Sequence, residues 1–217
     1  MSYLLHIDSS SQHKGSVSRA VGTSFLDTWS LDGRALPVIH RDLAATPVPH
    51  LSEVGISART TGAHALTSEE RDAAAIQEEL VTEFLDAAAY LFTVPMYNLG
   101  VPSAFKAWLD QITIVGRTMV PGEPAGKRAV VISSRGGGYG PGTPNEGRDH
   151  VVPFLRSLMG DLLGLDVRFV VPELTMAAAT PAMSSLVDLA EKSRAAAEEE
   201  AGRQARELLA ALAPRPA

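Results

Sequence analysis

Short apolar segments alternate with longer amphipathic segments along this chain, and the alternation restricts its fold more than any other feature of the sequence. The apolar segments have the length of strands and cover residues 3–7, 35–43, 87–94, 128–133 and 167–171. Strands that alternate with helices pair in parallel, because each helix carries the chain back to the same end of the sheet. We therefore predict an α/β fold, a doubly wound five-stranded parallel sheet with helices on both faces, formed as a single domain over residues 1–217.

The helical segments are marked by apolar residues at intervals of three or four positions, as from Val17 to Trp29. A hydroxyl in front of acidic residues predicts that a second helix begins at Thr67 or Ser68. Further helices are predicted from near residue 103, over 149–163 and over 184–212, whereas residues 44–66 contain turn residues and show no clear period. Pro37 lies in the second strand segment and predicts an edge strand or a late strand start.

Composition excludes several classes of protein and of site. The net charge of −6 argues against a nucleic-acid partner, because phosphate backbones are bound by basic surfaces. The chain has no cysteine for disulfides or thiolate metal sites, and the spacing of its six histidines predicts no metal site. The first residues do not resemble a signal peptide, and no apolar stretch reaches the ~18 residues of a membrane span, so we expect no membrane and a cytoplasmic location.

In an open parallel sheet, ligands bind beyond the carboxyl ends of the strands, where the strand order reverses. The loop after the first strand, residues 8–20, is rich in serine and leads into a helix N-terminus, where free N–H groups and the helix dipole attract an anion. With hydroxyls at Ser10, Ser16 and Ser18, this loop suits a phosphate monoester. Alternatively, Ser16 or Ser18 could simply cap the helix without binding a phosphate.

The loop after the third strand is apolar where turn residues are expected, since it reads Met96, Tyr97, Asn98 and Leu99. A flat and largely apolar ligand that covered these side chains would make them tolerable, and Asn98 would then meet its polar edge. Packing of Met96 and Leu99 under another loop, or against a second subunit, would explain the turn equally well.

The loop after the fourth strand begins with Ser134 and Arg135 and continues as the glycine triplet 136–138. Glycine lets the backbone approach a ligand closely, and a row of exposed N–H groups there would bind a carbonyl-rich ring. Arg135 would pair with that ligand or with an acidic neighbour. An ordinary flexible loop is also compatible with the triplet taken alone.

Taken together, the three loops resemble those of the FMN-dependent NADH-azoreductases, a branch of the flavodoxin-like NAD(P)H:quinone oxidoreductases. The similarity runs along nearly the whole chain, through MSYLLHIDSSS and SVS, then PMYNLGVPSAFKAWLDQI, then SSRGG and VPFLRSLMGDLLGLDVRFV. It implies a flavodoxin-like fold, non-covalent FMN, NADH or NADPH as hydride donor, and a homodimer with FMN near its interface.

The resemblance also implies which residues contact FMN. Phosphate and ribityl contacts fall on Ser10, Ser16, Val17 and Ser18, ring contacts on Met96, Tyr97, Asn98 and Leu99, and contacts to the polar end of the ring on Ser134, Arg135, Gly136 and Gly137. No catalytic side chain is predicted, because a quinone can take its proton from water. Tyr97, Trp108 and Met119 are expected to be partly exposed apolar groups that a second subunit covers.

The implied reaction is a ping-pong cycle, in which the nicotinamide reduces the flavin and a quinone or azo compound is then reduced in the same slot. Residues 117–126 look shorter, and residues 138–150 longer, than the corresponding family segments at the substrate side. The resemblance therefore predicts FMN binding but no particular substrate. Two alternatives stay open: a flavodoxin-like electron carrier, and a biosynthetic relative specialised for one polycyclic aromatic quinone.

Overall fold

A five-stranded parallel sheet forms the centre of the protein, in a computed structural model that describes residues 2–60 and 65–213. The strands are β1 (Leu4–Asp8), β2 (Val38–Asp42), β3 (Ala89–Thr93), β4 (Arg128–Ile132) and β5 (Asp166–Val170). They lie in the order β2-β1-β3-β4-β5, and every neighbouring pair is parallel. This order is flavodoxin-like, with its reversal between β1 and β3, and it confirms the predicted fold class.

The composition of each strand matches its place in the sheet. The central strands β1, β3 and β4 consist almost wholly of buried residues, as strands that are covered on both faces require. The edge strand β2 is exposed over most of its length, and Pro37 directly precedes its first residue. Both consequences drawn from Pro37, an edge strand and a late start, are therefore confirmed.

Helices connect the strands and cover both faces of the sheet. They are α1 (Val17–Ser30), α2 (Glu53–Thr60), α3 (Ser68–Asp86), α4 (Ser103–Ile112), α5 (Val151–Leu155) and α6 (Val187–Leu212). A π-helical segment (Arg156–Leu162) continues α5, and a 3-10 turn (Pro181–Leu186) precedes α6. The helix predicted over 149–163 is thus α5 and its π-helical continuation. In the described ranges, none of the helices has both the length and the apolar character needed to cross a bilayer.

Local sequence explains where the two best-defined helices begin. Ser16 caps α1, since its hydroxyl accepts a hydrogen bond from the backbone N–H of Arg19. Thr67 caps α3 through a reciprocal capping box with Glu70, so the start predicted at residue 67 or 68 is confirmed. Gly22 lets α1 lie close to the sheet, because a Cβ at that position would be 2.8 Å from the Cγ2 of Thr93.

One helix was not predicted, and one expectation from the sequence is wrong. Residues 44–66 contain α2, which showed no period because only Gly55 of its residues is buried. Trp108 is fully buried among the rings of Phe84, Phe92 and Phe105, so a second subunit cannot cover it. The tryptophan fills the core under α4 and is not a surface group.

Candidate functional site

The loops that follow β1, β3 and β4 meet at the carboxyl end of the sheet and border a cleft of about 510 Å³. Backbone hydrogen bonds hold them together. The N–H of Ser9 donates to the carbonyl of Thr93 at 3.1 Å, and the N–H of Met96 donates to the carbonyl of Ser134 at 2.9 Å. The structure thus brings together the three loops that were singled out in the sequence.

Serine hydroxyls form a connected cluster at one end of the cleft. The hydroxyl of Ser16 donates to that of Ser10 at 3.0 Å and lies 3.2 Å from that of Ser18. Gly15 precedes them with a φ of +76°, a left-handed conformation that favours glycine. The first turn of α1 carries no acidic residue that would counter the positive end of its dipole, which attracts an anion. Ser16 is therefore a helix cap and also part of a group of donors suited to a phosphate.

The apolar turn after β3 is a closed two-residue hairpin. Tyr97 and Gly100 exchange backbone hydrogen bonds of 2.9 and 3.0 Å, and the central Asn98 and Leu99 have φ values of 50° and 70°. A positive φ in leucine costs roughly 1–2 kcal/mol, which glycine would avoid. Strain of this kind concentrates at functional sites, and this hairpin borders the cleft through Met96 and Tyr97.

Only part of this hairpin lines the cleft. Met96 and Tyr97 line it, and the phenol of Tyr97 reaches the hydroxyl of Ser10. Asn98 lies instead along a second cleft, of about 770 Å³, which shares Tyr97 with the first. Leu99 lines neither of these two clefts.

The glycine loop after β4 presents its backbone donors unpaired. In the described part of the chain, the N–H groups of Gly136 and Gly137 donate no hydrogen bond. Their carbonyls, in contrast, accept from the N–H groups of Met176 and Leu174, each at 3.2 Å. The carbonyl groups of these two glycines are therefore bonded within the protein, whereas their N–H groups remain available to a ligand.

The side chain of Arg135 is buried, connects neighbouring segments through hydrogen bonds, and does not line the cleft. Its guanidinium donates to the carboxylate of Asp149 at 2.6 Å and to the carbonyl of Ser133 at 3.0 Å. Burial alone would raise the pKa of Asp149, but the hydrogen bond and charge of Arg135 lower it below its ordinary value. Of the two partners considered for Arg135, the structure contains the acidic neighbour.

Sequence reasoning missed a fourth wall of the cleft. The loop after β5 contributes Thr175, Met176 and Ala179, and its backbone pairs with the glycine loop. The signal was available, because β5 ends at the same edge of the sheet as the other strands. The additional lining residues are Gln12, Lys14 and Gly15 in the first loop and Pro95 before the hairpin.

A cluster of ionisable residues lies on the neighbouring strands β1 and β2, beside the serine-rich loop. His6, Asp8 and His40 have potential metal-ligand atoms within 4.8 Å of one another. Spacing along the chain did not reveal the group, because His6 and His40 become neighbours only through the pairing of β1 with β2. The guanidinium of Arg19 already lies 2.9 Å from the carboxylate of Asp8 and supplies positive charge there.

Hydrogen bonds set the charge states inside this cluster. Burial alone would raise the pKa of Asp8, but hydrogen bonds from His40 and Thr93 hold it well below its ordinary value. The hydrogen bond to Asp8 raises the pKa of His40 above 6.5. Both shifts favour a carboxylate at residue 8 and an imidazolium at residue 40.

The cleft as a whole fits FMN. Hydroxyls and a free helix N-terminus suit a phosphate, the apolar side chains of Met96 and Tyr97 suit a flat ring, and unpaired glycine N–H groups suit carbonyl oxygens at the edge of that ring. Of the predicted FMN contacts, those that line the cleft are Ser10, Ser16, Val17, Met96, Tyr97, Ser134 and Gly136. The remaining predicted contacts, which do not line it, are Ser18, Asn98, Leu99, Arg135 and Gly137.

Comparison with known proteins gives matches over almost the whole chain. Residues 2–207 match a family described as having a flavodoxin-like fold. A protein of Frankia casuarinae named FMN-dependent NADH:quinone oxidoreductase is 42% identical over 201 residues, which cover 91% of this chain and 95% of that protein. A protein of Streptomyces avermitilis with the same name is 45% identical over 211 residues, which cover 96% of this chain and 97% of that protein.

Solved structures agree with these matches. An azoreductase from Bacillus anthracis str. Sterne superposes with a TM-score of 0.81 at 25% identity, over 95% of this chain and 100% of that chain. An FMN-dependent NADH-azoreductase from Bacillus anthracis str. Ames Ancestor, solved in complex with FMN, has a TM-score of 0.77 at 24% identity, over 94% and 99% of the two chains. At that identity the second likeness shows the fold alone.

Proposed function

The chain belongs to the family of FMN-dependent NADH:quinone oxidoreductases with the flavodoxin-like fold, and from that premise we propose that it uses bound FMN and NADH to reduce quinones and azo compounds. The names of the relatives support the quinone, and that of the azoreductase structure supports the azo compound. The proposal rests on how hydrogen-bond donors and apolar side chains are distributed around one cleft. Hydroxyls lie at one end, unpaired glycine N–H groups at another, and apolar side chains between them.

The proposed roles of the residues follow from their chemistry. The hydroxyls of Ser10, Ser16 and Ser18 and the N-terminus of α1 hold the phosphate, while Met96 and Tyr97 support the ring. When bound, FMN supplies hydride transfer from NADH to the acceptor. The N–H groups of Gly136 and Gly137 stabilise negative charge at the polar edge of the ring, as donors in an oxyanion hole do. No acid or base from the protein is required.

Reconstitution of the purified protein tests the proposal. The chain is stripped of flavin, mixed with FMN, and assayed without oxygen for NADH oxidation in the presence of a simple quinone and of an azo dye. We expect saturable FMN binding and FMN-dependent reduction of both acceptors. Binding of FMN without any reaction with NADH would favour the electron carrier, and failure to bind FMN would refute both functions.

We also propose that the chain forms one FMN-binding domain, acts in the cytoplasm and assembles as a homodimer. The half-buried Met119 and Tyr97 and the exposed Val115 are apolar groups that a second copy would cover. Sedimentation analysis of the FMN-loaded protein tests the assembly, and a mass of one chain, 23.0 kDa, would exclude the homodimer.

A further inference from the structure

Arg19 occupies a position in α1 that is unfavourable for a cation. It is the third residue of the helix, where the positive end of the helix dipole repels positive charge. Its side chain is only 16% exposed and does not line the cleft that the loops enclose. A buried cation at a helix N-terminus requires compensating partners, and the structure contains them.

The guanidinium of Arg19 joins three segments of the protein. It donates to the carboxylate of Asp8 at 2.9 Å and to both carboxylate oxygens of Asp42 at 2.8 Å. It also donates to the backbone carbonyl of Ser10 at 2.8 Å. Asp8 ends β1 and Asp42 ends β2, so Arg19 ties the serine-rich loop to both strands.

Charge gives a second reason for this arrangement. Asp8 and Asp42 place two carboxylates beside a loop whose hydroxyls suit a phosphate dianion. Without a counter-charge they would repel that dianion, because like charges at short range disfavour each other. Arg19 lies between the two carboxylates, and His40 pairs with Asp8 from the other side. A metal ion at His6, Asp8 and His40 would have to share Asp8 with the guanidinium, which disfavours that alternative.

We propose that Arg19 is a positioning residue for the phosphate of the cofactor: it fixes the Ser10 carbonyl, aims the hydroxyls of the loop at the phosphate, and neutralises the carboxylates beneath. The inference rests on the proposed function, because it presumes that the cleft binds FMN. Arg19 acts through the loop and does not touch the phosphate itself. Its contribution therefore depends on the phosphate and not on the ring.

Comparison of FMN with riboflavin isolates this contribution, because riboflavin has the same ring and lacks the phosphate. The dissociation constants of both are measured by flavin fluorescence for the wild-type protein and for Arg19→Gln. We expect the constant for FMN to rise about tenfold or more, as the loss of a charge-assisted hydrogen bond implies, and that for riboflavin to stay within about twofold. The backbone cap between Arg19 and Ser16 is unaffected by the substitution.

Arg41→Gln is the matched control. Arg41 is equally buried, with a side chain 19% exposed, and it also pairs with two carboxylates, those of Glu79 and Glu83. It makes no bond to the serine-rich loop, so its loss should leave both dissociation constants unchanged. If Arg19→Gln does not fold, Arg19→Lys retains the charge without the planar fork and should weaken FMN binding while riboflavin binding persists.

The outcomes of this experiment distinguish failure of the positioning role from failure of the proposed function. Equal loss of FMN and riboflavin binding in the Arg19 variant, or FMN binding within about twofold of the wild type, would overturn the positioning role. Wild-type protein that binds neither flavin would instead refute the proposed function.

Discussion

The phenol oxygen of Tyr97 lies 3.3 Å from the hydroxyl of Ser10 and accepts a hydrogen bond from the backbone N–H of Ser11 at 3.1 Å. One aromatic side chain therefore connects the turn after β3 to the loop after β1. The parts of the cleft that suit a ring and a phosphate are coupled through this residue.

Tyr97→Phe should weaken FMN binding while it preserves the apolar surface under the ring. The lost hydroxyl makes two neutral hydrogen bonds that together contribute about 1 kcal/mol, so we expect the dissociation constant to rise by about fivefold. Fluorescence titration of the flavin-free protein provides the measurement. Tyr3→Phe is the control, because that hydroxyl bonds the carbonyl of Glu83 outside the cleft. An unchanged constant for Tyr97→Phe would show that the hydroxyl does not order the loop.

Gly136→Ala should disturb the cleft through Met176. A Cβ at residue 136 would lie 3.0 Å from the sulfur of Met176 and 3.1 Å from its Cγ, so the flexible methionine must move. We expect weaker FMN binding and little change in melting temperature, because the displaced side chain is more than half exposed. The double variant Gly136→Ala/Met176→Ala should recover affinity, since neighbouring substitutions are not additive. Additive losses in the double variant would place the effect elsewhere.

Asp149→Ala should destabilise the fold strongly. It leaves the guanidinium of Arg135, whose side chain is fully buried, without its carboxylate, and it removes the acceptor for the N–H groups of Val151 and Val152. We expect the free energy of unfolding to fall by about 3 kcal/mol or more, measured by urea denaturation of the flavin-free protein. Glu198→Ala breaks an exposed pair with Arg194 and should cost less than about 1 kcal/mol. Similar losses for both variants would contradict a special role for the buried pair.

The contribution of His40 to stability should depend on pH. Its pKa is raised above 6.5 in the folded protein by the hydrogen bond to Asp8, so its stabilisation is complete below that value and is lost as pH rises through the folded-state pKa. Asp8 contributes in the opposite direction: its pKa is lowered from 3.8, so its contribution is lost as pH falls below that value. Asp42 and Arg19 also face this pair, and the imidazole rings of His6 and His13 lie 3.6 Å from Asp8 and 3.7 Å from Asp42.

His40→Asn tests this dependence through urea denaturation at about pH 5.5 and about pH 9. The difference in unfolding free energy between wild type and variant should be larger at the lower pH. His50→Asn, an exposed histidine outside the cluster, serves as the control. A difference that is constant or that grows with pH would show that His40 is not stabilised as an imidazolium.

The fold was predictable because its signals are local. Burial of β1, β3 and β4 on both faces leaves apolar runs, and Pro37 marks the open edge at β2. The helix α2 was missed because burial of Gly55 alone produces no hydrophobic stripe. Trp108 was misplaced because an indole at helical spacing looks the same in sequence whether it faces a partner or the core.

The site was predictable in part, through the rule that loops at the carboxyl ends of parallel strands converge. The loop containing Met176 was missed because its sequence has no glycine-rich or serine-rich run, although it follows β5 at the same edge of the sheet and pairs there with the glycine loop. The network of Arg19 was also invisible, because it joins residues from three segments that only the sheet register brings together.

The serine hydroxyls bond to one another and to Tyr97, so contacts within the protein itself define the shape of this end of the cleft. Capture of the cofactor then exchanges existing partners for new ones and requires no ordering of a loose segment, which removes a common entropic cost of association. We therefore expect FMN to bind at a rate limited by diffusional encounter. The free energy of unfolding should also rise with the concentration of free FMN.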